Sequence, residues 1–250
     1  MTLFGKRIPI LFSLGIWFIV WELIGRARLS TIIPPFSRVV AAGITILPTE
    51  KFSTATSISL RSFVTGMAFA LVIGIPVGVL MARVEGAGRI LGMWVNIFIS
   101  APISALVPIL MAVIGIGETT VVVTVFLFAV FVIVLDTQVG VKQADRSLVE
   151  MARSFGARRH QIYSKVLLLS ALPEILAGVR LGAIRGVKGV VIGQLLVAII
   201  GVGELFELYS QYFLMEEFWA LVIIVFVFAF AVSEAIAFLE RRVEYYASAR

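Results

Sequence analysis

Three cations spaced along one apolar stretch raise the first chemical question. In EILAGVRLGAIRGVKGVVIGQLL, from Glu174 to Leu196, the charged side chains beyond the first residue are Arg180, Arg185 and Lys188. At about 100° per residue a helix brings the three within an arc of roughly 140°. Cations within an apolar span face a bundle interior or a wet cavity and mark a solute path. They also snorkel toward water or pair with neighbouring acids. Counted from Glu174, Arg180 lies about 9 Å and Lys188 about 21 Å along the helix. Arg180 therefore fits pairing, while Arg185 and Lys188 are candidates for a translocation pathway. Gln194 follows; its amide bonds a polar solute without repelling an anion, or bonds another helix. Asn96 and Ser100 are two further pathway candidates in an uncharged run.

A second polar stretch, SLVEMARSFGARRHQIYSKVLLLSALPE from Ser147 to Glu174, interrupts apolar surroundings. Ser147 and Glu150 fit the S-x-x-E capping box, and Gly156 stands where a left-handed C-terminal cap belongs. Between them lies a helix of about two turns, too short to persist alone in water. Leu148, Met151, Ala152 and Phe155 fall at i, i+3, i+4 and i+7 and form one apolar stripe. Such a stripe docks into a groove on a soluble partner or packs against this chain's own helix ends.

Catalytic constellations are missing from the sequence. A phosphate cradle of the form G-x-x-x-x-G-K-[ST] does not occur, and FGKR at Phe4 to Arg7 shares only its Gly-Lys pair. His160 is the single histidine and stands in a basic segment, which fits a solvated surface residue. No His, Cys and carboxylate set has metal-ligand spacing, and Ser and His are not arranged for intramembrane hydrolysis. With no cysteine, thiol and disulfide chemistry are excluded.

The elements that position these residues follow from hydropathy. The 250 residues are 60% apolar and 14% charged, more apolar surface than a soluble domain hides. The expected fold class is all-α: a polytopic membrane helical bundle of about six transmembrane helices in one domain, 1–250. The spans read as Ile8 to Ile24, Phe63 to Ala82, a third within Ile90 to Gly117, Thr119 to Leu135, Ile175 to Gly203, and Phe218 to Leu239. The basic N-terminal tip lacks a small-residue cleavage site, so the first span is expected to be retained. Pro76, Pro102 and Pro108 interrupt spans two and three, and Gly66, Gly74 and Gly78 line span two. Close packing and kinks account for these, and kinked helices also allow a path to open and close.

With the N-terminus inside, inner segments carry thirteen of the basic residues and outer segments five, namely Arg26, Arg28, Arg38, Lys51 and Arg61. Both termini are thus expected in the cytoplasm, with 140–172 as the long cytoplasmic connection. The first outer loop dissents from the rule. It contains an expected interfacial helix opened by Ser37 as its cap. The formal charge of +6 suits cytoplasmic loops of a membrane chain and does not call for nucleic acid.

From Glu150 to Pro173 the sequence resembles the EAA loop of inner-membrane subunits of ATP-binding-cassette importers. Glu150, Ala152 and Gly156 match that motif in type and spacing, Val166 and Leu168 stand for its Ile and Leu, and Met151 and Leu169 depart from it. The likeness runs from PPFSRV in the outer loop to LERR at Leu239 to Arg242 and points to the nitrate/sulfonate/taurine/bicarbonate branch. The resemblance implies a type I importer permease fold, and a coupling helix formed by Leu148, Glu150, Met151, Ala152, Phe155 and Gly156. It also implies a second permease copy in a homodimer, two cytoplasmic ATPase subunits and an extracytoplasmic solute-binding protein. ATP and Mg would belong to the partner ATPase, with no cofactor or metal on this chain, which would be no enzyme. The lodging would be the bacterial inner membrane, and the cargo a small anion such as a sulfonate, taurine or nitrate. An aromatic vitamin precursor is the alternative cargo. An ion-coupled secondary transporter is the rival reading, and it needs intramembrane carboxylates or broken repeat helices that the spans scarcely offer.

Overall fold

The computed structural model describes residues 2–3, 6–7, 10–28, 30–144, 146–197 and 199–248. Two short strands, β1 (Thr2–Leu3) and β2 (Lys6–Arg7), pair antiparallel ahead of an otherwise helical chain. Helix α1 (Ile10–Arg26) is followed by α2 (Phe36–Ile46), a short amphipathic helix that buries Val39, Ala42 and Ile46. Ser37 was expected to cap α2, but Pro35 holds that place. The Ser37 N–H and hydroxyl instead donate to the Glu22 carboxylate of α1, at 2.9 Å each. A carboxylate from the preceding helix thus satisfies a free amide of the α2 first turn.

Helix α3 (Glu50–Arg83) starts thirteen residues before the expected Phe63, capped by Thr49, whose hydroxyl accepts the Phe52 N–H at 3.3 Å. Lys51 and Arg61 therefore stand on a helix rather than in the loop. α4 (Glu85–Ser100) and α5 (Val107–Ile114) are joined through a 3₁₀ turn at Ile103–Leu106. They meet at 91°, so the expected third span is not one rod. Pro102 at the corner has no N–H to continue the ladder of α4, which ends at Ser100.

Helix α6 (Glu118–Gln143) carries apolar residues on all sides and continues well past the expected Leu135. α7 (Arg146–Ser154) follows. An arm of α8 (Arg159–Gln161), a wide π turn at Ile162–Leu167 and α9 (Leu168–Ser170) then leads into α10 (Leu172–Val197) with a 62° bend. α10 ends six residues before the expected Gly203, because Gly201, at φ 63, begins a separate helix, α11 (Gly201–Gln211). The chain closes with α12 (Met215–Ser248).

Three described helices, α3, α6 and α12, are each long and apolar enough to cross a membrane, and the two bent pairs raise the count to five. The structure thus supports three to five spans where about six were expected; α1, with 17 residues, is at the short end of what a bilayer needs. Among them α6 is the centre. On its α3 side, a Cβ at Gly78 would sit 2.6 Å from both the Thr137 Cβ and the Val134 carbonyl oxygen, and Gly66 approaches Val125 as closely. On its α10 side, Gly182 lies against Ile133 and Gly178 against Asp136. Small residues let backbones approach where lipid offers no hydrophobic drive. The main core fills the space between, with Phe63, Met67, Val125, Ile133, Ala183 and Val187.

A second cluster packs α2, the start of α3, α11 and α12 through Val39, Phe52, Leu205 and Leu221. The fold thus has two polar ends. One holds the α1–α2 connection, α11 and the Lys51–Glu204 pair. The other holds α7 and the arm, where the Arg83 guanidinium of α3 stacks 4.5 Å over the Tyr163 ring.

Gly78→Val, meeting both a side chain and a carbonyl of α6, is expected to cost about 1–3 kcal/mol by overpacking. Gly15→Ala, with nothing within 4 Å of its Cβ, should be neutral or slightly stabilising. Thermal unfolding midpoints of the two purified variants in detergent check the contrast.

Candidate functional site

Helix α7 is short because its flanks stop it. It begins at Arg146, so Ser147, expected to stand ahead of it as the cap, lies within it with Glu150; residue 145 is outside the described residues. Its C-terminus follows the expectation. Gly156 adopts φ 76, its N–H donates to the Arg153 carbonyl at 2.9 Å, and the Ala157 N–H reaches back to Ala152 at 3.0 Å. The next segment is capped in turn, the Gln161 side-chain oxygen accepting the Arg158 N–H at 2.8 Å.

The apolar stripe of α7 is largely uncovered. Leu148, Met151 and Phe155 are 38%, 52% and 84% exposed, and Ala152 is half-buried. Of the two uses the spacing allowed, packing against the chain's own helix ends is not what these three side chains do. α7 lies on the π turn of the arm, which passes through α9 into α10. A displacement of α7 therefore has a short helical route to the helix that carries the three cations.

Those cations separate. Arg180 donates from Nε to the Ser233 hydroxyl at 3.2 Å, and its guanidinium lies 3.9 Å from Glu234 and 3.6 Å from Glu240 of α12. Arg241 joins the group, 3.2 Å from Glu234. Arg180 is thus a link between helices, the pairing role its shallow position fitted. Arg185 is half-buried and faces the field of Asp136 on α6, with Glu174 nearby. Asp136 lies past the expected end of that span at Leu135, and the longer α6 places it inside the α6–α10 contact, against Gly178. Lys188 is exposed and has no ionic partner among the described residues. With Leu181 and Leu195, also exposed, it forms a stripe of seven-residue spacing on the face of α10 that the subunit leaves open.

Gln194 belongs elsewhere. It is wholly buried; its side-chain oxygen accepts the Ser59 hydroxyl of α3 at 2.8 Å and the Gly203 N–H of α11 at 3.4 Å. Ser59 also accepts the Val202 N–H at 3.0 Å. As a pathway residue Gln194 is therefore a correction: through its side-chain oxygen it fastens three helices, and it lines no open surface, while its NH2 has no hydrogen-bond partner among the described residues. A Cβ at Gly203 would lie 2.3 Å from the Gln194 carbonyl, so α11 sits directly against the end of α10. Asn96 and Ser100 are exposed on α4, whose only buried residue is Val95. Sequence reading missed Ser59 as the partner of Gln194 and Glu118 as the partner of Arg61, which donates from Nε at 2.7 Å. Separations of 135 and 57 residues leave no local signal for either pair. Among the described residues, no group of three or more His, Cys, Asp or Glu could hold a metal ion.

A helical membrane subunit with an exposed helix closed by a left-handed glycine at one end and an uncovered cation on an inner span is of the transport-permease class. Residues 74–245 match the family of binding-protein-dependent transport system inner membrane components, and the chain belongs to that family. It is 27% identical over 237 residues to the taurine transport system permease protein TauC of Escherichia coli, covering 92% of this chain and 86% of that protein. A probable ABC transporter permease protein of Brucella melitensis is 30% identical over 183 residues, 73% of this chain and 74% of the other. Among solved structures, an inward-facing MetNI methionine ABC transporter superposes with a TM-score of 0.67 at 23% identity, covering 77% of this chain and 95% of that one. An amino acid ABC transporter with histidines gives 0.63 at 14% identity. The chain is an ABC importer permease of the inner membrane and is no enzyme; in this family ATP is hydrolysed on a separate subunit.

Removing the Gln194 amide leaves Ser59 and the Gly203 amide short of a partner, a loss of about 1–3 kcal/mol. Gln194→Ala should therefore lower the unfolding midpoint in detergent, while Lys188→Gln, at a residue with no ionic partner among the described ones, should leave it unchanged.

Proposed function

We propose that this permease imports a small organic or inorganic anion, such as a sulfonate, taurine or nitrate. It works as two identical copies with two cytoplasmic ATPase subunits and an extracytoplasmic solute-binding protein. The observation that carries the reading is the exposed Leu148–Met151–Phe155 stripe on a helix closed by a left-handed glycine. A stripe of that size on a two-turn helix has the form of an anchor for a groove. The likeness to a taurine permease and the unpaired Lys188 both favour an anionic cargo.

In this reading α7, the arm and both termini lie in the cytoplasm, and Leu148, Glu150, Met151, Ala152, Phe155 and Gly156 form the coupling element. ATP and Mg act on the partner. When the ATPases close, the two α7 helices are drawn together. The push passes along the arm into α10, while the Arg83–Tyr163 contact carries it to α3. The ATPase must bind the two permease conformations unequally for this to drive transport. Arg185 and Lys188, with Asn96 and Ser100 on α4, face the path between the two copies. There Lys188 offsets the charge of the solute as it sheds water.

A β-branched residue at Gly156 cannot hold φ 76 without strain of about 1–3 kcal/mol, which splays the end of α7. Gly156→Val, reconstituted in proteoliposomes with its ATPase and binding protein, is expected to cut ATP-driven uptake of labelled taurine or nitrate about ten-fold while membrane insertion stays normal. ATP hydrolysis measured in the same vesicles should continue. Uptake at the wild-type rate would refute the coupling role. Lys188→Glu should lower uptake with hydrolysis and unfolding midpoint unaltered.

A further inference from the structure

At the end of the bundle opposite α7, the close of α1, residues 30–35 and the start of α2 enclose a basin of about 560 Å³. Arg26, Arg28 and Arg38 line it together with Ser30, Thr31 and Glu216. Two of the arginines are already matched. Arg26 lies 2.6 Å from Glu22, and Arg38 lies 3.3 Å from Glu216. Arg28 is exposed, stands at φ 51 and has no ionic partner among the described residues. The basin therefore carries one positive charge in excess.

Ile33 lines both this basin and a second, wholly apolar groove of about 200 Å³. The groove is formed by Trp17, Val20, Trp21, Ile24, Ile33 and Trp219. Two of its indoles fix the loop above it: Trp21 donates from Nε1 to the Pro34 carbonyl at 3.0 Å, and Trp219 to the Ile32 carbonyl at 2.8 Å. Those carbonyls are thus turned to the indoles. Amphipathic indoles settle where headgroups meet acyl chains, so they also mark the depth of the site. Gly25 sets the spacing, for a Cβ there would lie 2.5 Å from Pro35.

We propose that this paired basin and groove binds one anionic phospholipid, its phosphodiester at Arg28 with the hydroxyls of Ser30 and Thr31, and one acyl chain along the Trp-lined groove. The charge matches: a phosphodiester lipid such as phosphatidylglycerol carries one negative charge and the basin one uncompensated positive charge. Guanidinium is the side chain best shaped for phosphate oxygens. The same occupant gives a reason for basic residues on the end of the bundle where the positive-inside rule would not collect them. An acidic protein surface would use the basin but has no use for the continuous apolar groove, which favours the lipid.

The test is native mass spectrometry of the full-length chain titrated with defined lipids in detergent, a readout that requires no transport. One dioleoyl-phosphatidylglycerol is expected to bind about ten-fold more tightly than dioleoyl-phosphatidylcholine. Arg28→Gln, an exposed loop change, should erase that preference, whereas Arg89→Gln at the opposite end should keep it. Val20→Trp, which fills the groove, should weaken dioleoyl-phosphatidylglycerol but not the short-chain dihexanoyl form. Full phosphatidylglycerol preference in Arg28→Gln overturns the proposal. So does an Arg28→Gln variant that loses affinity for an added solute-binding protein while keeping its lipid, which assigns the basin to a protein partner.

Discussion

The structure depends on how closely α6 can be approached. It is apolar on every face, so no stripe tells it which side is inward, and lipid would accept it as readily as protein. Glycines on its neighbours decide the matter. Gly66 and Gly78 admit α6 to α3, and Gly178 and Gly182 admit it to α10, at separations that leave no room for a Cβ. Dispersion between closely spaced backbones then holds three spans as one block, and the buried Thr120, Thr124 and Thr137 are carried inside it.

That block has different business at its two ends. At one end the chain leaves α6, turns through α7 and returns along the arm into α10, so the exposed stripe is fixed to both of the most closely packed spans. A two-turn helix is not stable by itself. Here the glycine cap closes it and the arm supports it, which leaves its apolar side free for a partner. At the other end the connections are stitched by single polar groups: Glu22 on the first turn of α2, Lys51 with Glu204, Ser59 with Gln194, and two tryptophans on the loop carbonyls. Such bonds are few and directional, and in an apolar setting an unmade one is costly.

How far the site was legible depends on whether its signals were local. Gly156 and the Leu148–Met151–Phe155 spacing lie within ten residues, and backbone geometry follows from them directly. The start of α7 was placed two residues late, because S-x-x-E is also an ordinary helical sequence. Gln194 was ambiguous for the opposite reason. A polar residue in a span bonds either a solute or a helix, and the choice rests on Ser59, far away in the chain. Arg180, too, needed α12 to supply its acids. The third span was expected as a single segment although Pro102 was noted in it, because hydropathy measures length of apolar chain and is blind to a corner.

By itself the sequence determined the class of the protein. Apolar runs of bilayer length force helices, since lipid leaves backbone groups no other partner, and a polar insert among them, punctuated by Gly156, sets a short helix apart from the spans. Only the tertiary structure decided which polar residues are fasteners and which are left free. Burial and partnership are properties of helix faces brought together over long separations. Thus Gln194 disappears into the contact of three helices, while Lys188, six positions earlier on the same helix, remains open.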